Sequence, residues 1–182
     1  MTRRTDAEQN RARLLAVARE ELTGSADVSL HSIAKKAGVG QGTLYRHFPT
    51  REALLMAVYR QDVADVVDAA DTLLAAHEPR QALRLWLDRL GAFGRIKHSV
   101  AAVLHAATRA DLAAEHYAPI TGAIDRLLAA GRTAGDLRSD VDAEDLLLLV
   151  SFLWHGDAQD PEWEDRSRHM LEVVLDGLRP PP

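Results

Sequence analysis

The 182-residue sequence contains no cysteine, which removes disulfides and thiolate metal sites together. That absence suits a reducing compartment, and a cytoplasmic protein is the expectation. Long apolar runs are missing as well. Runs such as residues 146–150 fall far short of the roughly 20 residues that span a bilayer. No apolar signal-peptide core opens the chain, so a soluble protein with no membrane partner is expected. Strand-like alternation and internal repeats are absent, which leaves an all-α protein. Lysine is scarce beside alanine, arginine and leucine, a composition that points to a GC-rich genome but to no pathway.

Several chemistries are missing too. Gly40-Gln41-Gly42 follows no strand and reads as a turn, not a phosphate loop. No Ser, His or carboxylate grouping has a recognisable catalytic spacing, so an enzyme is not expected. Eight histidines are present, but His98, His105 and His116 lack the i, i+4 spacing that sets two ligands on one helix face. Neither a metal nor another cofactor is expected.

What the sequence does have is a charge asymmetry. Residues 1–60 carry ten Lys/Arg against six Asp/Glu, whereas residues 61–182 carry twelve against twenty-one. An overall net charge of −5 conceals this basic head on an acidic body. Only the head is suited to approach a polyanion.

Residues 29–48 explain the head. Leu30, Ile33, Ala34 and Ala37 line one helix face, Ser29 stands where an N-cap belongs, and Gly38 stands where a left-handed residue closes the helix. A second short helix starts near Gln41 with Leu44 and Phe48 inward. Two such helices joined by a tight turn form a helix-turn-helix, whose second helix enters the DNA major groove. Gln41, Thr43, Tyr45 and Arg46 are the candidate base contacts. A glutamine can pair with adenine, an arginine with guanine, and the threonine methyl can meet a thymine methyl. Gly42 lets the backbone approach closely. Ser29 belongs to the same surface, and His31, His47, Thr50 and Arg51 are candidate phosphate contacts.

The run Ile33-Ala34-Lys35-Lys36-Ala37-Gly38-Val39, then Gly42-Thr43-Leu44-Tyr45-Arg46-His47-Phe48-Pro49 and Arg51-Glu52-Ala53-Leu54-Leu55, closely resembles the DNA-reading segment of TetR-family bacterial transcription regulators. The resemblance covers residues 7 to 60 by motif and the rest by layout. It implies that Tyr45 and His47 contact DNA. Gly40 departs from the pattern, because the family commonly has a capping serine there.

Around this segment, residues 2–5 read as a disordered basic lead, and Asp6 as the N-cap of helix 1 with Leu14, Leu15, Ala18 and Leu22 inward. The fourth helix spans residues 51–77 and connects a head at 1–50 to a body at 51–182. At 1.5 Å per residue it is roughly 40 Å long. In the body, Gly91 and Gly94 are expected to end one helix near Arg95, a short helix to occupy residues 96–108, and Pro119 to open or kink another. The total is about nine helices.

Residues 146–154 are apolar on every side, so in a chain this small they call for another subunit. Helices at about 142–156 and 162–178 are the expected four-helix interface of a homodimer. The body resembles the family's ligand-sensing and dimerising domain in helix count and order, and Gly135-Asp136-Leu137-Arg138-Ser139-Asp140-Val141 also looks like the family. Trp86, Leu90, Phe93, Leu104, His105, Ile124 and Trp154 are the candidate pocket residues for a small apolar effector. The resulting expectation is a one-component repressor on an inverted-repeat operator in double-stranded DNA, released by that effector. The alternative is a DNA-binding protein, ligand-independent or partner-regulated, whose body only dimerises.

Overall fold

The computed structural model describes residues 2–24, 29–103, 106–154 and 162–181; the side chains of residues 2–5, 22–24, 94–103, 106–113 and 154 lie outside that description. Among the described residues there are eight α-helices, one 3-10 turn and no strand. The helices are α1 (Thr2–Gly24), α2 (Leu30–Lys36), α3 (Gln41–His47), α4 (Arg51–Ala76), α5 (Pro79–Val103), α6 (Ala106–Ala134), α7 (Ala143–Leu149) and α8 (Trp163–Gly177), with the 3-10 turn at Ser151–Trp154.

Two compact units divide inside α4. The first holds residues 1–62 and 96–109, the second residues 63–95 and 110–182. Sequence reasoning sets its boundary earlier, at residue 50, where α4 begins. In the first unit Leu14 and Ala18 of α1, Ile33 and Ala34 of α2, Leu44 of α3 and Leu54 of α4 are buried together with Phe48. Burying each of the Leu, Ile and Phe side chains is worth ~1.5–3 kcal/mol, which lets short helices with marginal intrinsic stability persist. Asp62 is buried as well, with the Arg19 guanidinium of α1 2.8 Å away. In the second unit Trp86, Leu83, Leu87 and Leu90 of α5 and Ile124, Leu127 and Leu128 of α6 are fully enclosed.

Four expectations change. Residues 2–5 belong to α1 and are not a separate lead, because adding a turn to an existing helix needs no new nucleus and arginine is a good helix former. α5 continues past Gly91 and Gly94 to Val103, so the expected break near Arg95 is absent. A glycine ends a helix by turning left-handed, and among the described residues only Gly38 and Gly135 have positive φ. Pro119 lies inside α6 and does not open it, which leaves only the kink of the two expected roles, and Ile120, Ala123 and Ile124 just beyond it are buried. The helix expected at about 142–156 ends at Leu149 and tightens into the 3-10 turn.

Candidate nucleic-acid interface

Local chemistry sets the angle between α2 and α3. Ser29 has extended backbone, and its Oγ accepts a bond from Ser32 N at 3.1 Å. At the other end Gly38 has φ +64°, the Gly38 N–H donates to Lys35 O at 3.2 Å, and the Val39 N–H donates to Ala34 O at 3.0 Å. This bond pair is a Schellman closure, and it satisfies carbonyls that a helix end leaves open. Gly40 caps α3 without a side-chain bond. Thr50 caps α4 by accepting from Ala53 N at 3.1 Å.

The polar and apolar sides of α3 separate cleanly. Leu44 and Phe48 are buried, while Gln41, Gly42, Tyr45 and Arg46 are exposed, with Tyr45 at 52%. An exposed tyrosine at that level stands out on a small core. Thr43 and His47 are half-buried. His47 lies beside Phe48, with ring centroids 6.2 Å apart. The Arg11 guanidinium of α1 sits 5.6 Å from the Phe48 centroid, a cation–π contact that no sequence spacing announced. His31 is exposed and its ring Nδ1 meets the Gln41 amide nitrogen across the turn. Lys36 pairs with Glu21. Ser29 and Thr50 are exposed at their caps, and Arg51 is half-buried at the start of α4. Thus the head offers an outward α3 face flanked by His31 and Thr50.

Residues 14–58 match the tetR family of bacterial regulatory proteins, and residues 78–180 match the C-terminal domain of SbtR-like transcriptional regulators. A TetR transcriptional regulator from Streptomyces coelicolor is 35% identical with a TM-score of 0.81, covering 94% of this chain and 99% of that one. The chain belongs to the TetR family.

A TetR regulatory protein from Mycobacterium vanbaalenii is similar as well, at 34% identity and a TM-score of 0.76, over 97% of this chain and 98% of the other. An HTH-type transcriptional regulator of Staphylococcus aureus (strain USA300) is 39% identical over 62 residues, 33% of this chain and 34% of that protein. The match therefore spans about a third of the length of such relatives. SmeT, solved as a complex with triclosan, shares the fold alone at 19% identity, with a TM-score of 0.66 over 93% of this chain and 91% of SmeT. This TetR-family chain is accordingly a helix-turn-helix transcription regulator, and the family acts on DNA.

Within the regulator's second unit, the candidate pocket residues Trp86, Leu90, Phe93 and Ile124 are buried. Trp86 Nε1 donates to Val66 O at 2.8 Å, so its one polar atom is satisfied inside the protein. Leu104, His105 and the Trp154 side chain lie outside the described residues. A half-open cleft of about 300 Å³ lies elsewhere, between α5, the 3-10 turn and α8. Arg84, Asp88, Leu153, Trp163, Ser167 and Arg168 are among the residues around it, and none of Trp86, Leu90, Phe93 and Ile124 is. Arg84 is held there by Glu172 at 2.9 Å, and that bond raises its pKa above the ordinary value. Among the described residues no three His, Asp or Glu side chains converge as metal ligands, and no helix is long and apolar enough to cross a membrane.

Proposed function

We propose that this regulator is a homodimeric repressor that binds an inverted-repeat operator and is released by a small apolar effector. The observation that carries the dimer is the outward apolar face of the last two helices. Leu146 of α7 and Val150 just after it are buried, yet Leu148 is 74% exposed and Leu149 52%. On α8, Leu171 and Leu175 are buried, as is Leu178 at its end, while Met170 and Val173 lie exposed on a different side. A helix with two apolar faces and one covered is suited to pairing with its copy. Two recognition helices related by a two-fold axis read half-sites about one turn, ~34–36 Å, apart.

In this reading Gln41, Thr43, Tyr45 and Arg46 face bases, and His47, Thr50 and Arg51 face phosphates. Selection from randomised duplexes tests it. The expected product is an inverted repeat with half-sites one turn apart, and failure to enrich any motif at low salt would remove the operator reading. Arg46→Ala should relax preference at one base position by ~1–3 kcal/mol. Arg51→Ala should weaken all duplexes alike and flatten the salt dependence. Equal behaviour of the two variants across sequences would overturn this division of roles.

An effector that favours the DNA-incompetent state by ~1–3 kcal/mol lowers operator affinity roughly 5–150-fold. The triclosan complex of the fold relative SmeT supports such a role. The enclosure of Trp86, Leu90 and Ile124 favours a second reading, in which the body only dimerises. Apolar compounds that raise the melting temperature and weaken operator binding together would decide for the effector.

A further inference from the structure

We propose that His31 is a specificity-determining partner of Gln41, fixing the orientation in which the Gln41 amide meets its base pair. This rests on the reading of Gln41 as a base contact. The two residues are ten positions apart on different helices, and the turn at Gly38 brings the imidazole Nδ1 against the Gln41 Nε2. An amide nitrogen only donates, so in this contact Nδ1 is the acceptor, a role open to it in the tautomer that carries its proton on Nε2. One amide hydrogen is thereby engaged. The second hydrogen and Oε1 remain, and this donor–acceptor pair matches adenine N7 and N6–H in the major groove.

A side-chain amide is nearly symmetric in shape. Rotated by half a turn it offers the opposite pattern, and an unrestrained glutamine discriminates poorly for that reason. Its neighbours in sequence give no restraint here. Gly40 and Gly42 flank Gln41 and carry no side chain that could hold its amide. A contact from across the turn can set the orientation of Gln41. His31 supplies it.

The test measures binding of the full-length protein to the selected operator and its single-base variants. Gln41→Ala first identifies the base pair that loses its preference. His31→Phe keeps the ring but removes the acceptor, whereas His31→Asn places an amide oxygen near the position of Nδ1. Loss of roughly five- to hundredfold discrimination at that base pair is expected for His31→Phe, with the salt slope unchanged and most of the discrimination kept in His31→Asn. Both residues are exposed, and circular dichroism confirms that the variants fold. If His31→Phe leaves that position discriminated while Gln41→Ala abolishes it, the inference is overturned and the reading of Gln41 stands. A uniform weakening with a shallower salt slope would make His31 a phosphate contact and overturn it equally. If Gln41→Ala changes no preference, the reading of Gln41 itself falls.

Discussion

Gly40 shows how one missing hydroxyl can be traced to a measurable quantity. Its φ of −62° and ψ of 141° are those of an ordinary cap, and the space around a Cβ is open. Gly40→Ser should therefore raise stability by a few tenths of a kcal/mol, read as a higher urea midpoint at unchanged slope. Asp140 gives a second residue-level test. The Arg138 guanidinium reaches both its carboxylate oxygens, at 2.6 and 2.8 Å, and that bond lowers its pKa from the ordinary 3.8 to about 2. A lowered folded pKa means that the stabilisation is present above about pH 4 and is lost as pH falls through about 2. Carboxyl NMR titration should place the Asp140 midpoint near 2, and Arg138→Ala should return it toward 3.8.

Helix ends carry the next set of consequences. α6 closes as α2 does, with Gly135 at φ +76°, the Asp136 N–H on Gly131 O at 2.9 Å and the Gly135 N–H on Arg132 O at 3.0 Å. The chain then folds Leu137 back over Gly131, where a Cβ would lie 2.3 Å from its Cδ1. Alanine there would gain about 1 kcal/mol of helix propensity. Overpacking a buried contact costs ~1–3 kcal/mol, so Gly131→Ala should lower the urea midpoint. Caps and turns of this kind were legible in sequence: Ser29 and Gly38 stand where local rules put them. The Asp142–Asp145 capping box that opens α7 follows similar logic, with bonds of 2.8 and 3.2 Å. Continuity was not legible. Gly91 and Pro119 look like punctuation in one dimension, but tertiary burial overrides local propensity in α5 and α6. For the same reason the outward face of α3 could be read from period alone, whereas the His31–Gln41 and Arg11–Phe48 contacts depend on how separate helices meet.

For the whole molecule, the basic head and acidic body make ionic strength a selective variable. Salt should weaken DNA binding steeply, in proportion to the phosphates neutralised. The exposed leucines of α7 bring in a different variable, protein concentration, under the dimer proposed above. If a second copy covers Leu148 and Leu149, folding is linked to association and obeys mass action. The melting temperature should then climb with each tenfold rise in protein concentration, and Leu148→Asp should flatten that climb. A melting temperature indifferent to dilution would mark a chain that folds alone. In a dimer, the abundance of the regulator would set not only how much operator is occupied but how much of the protein survives as folded molecules.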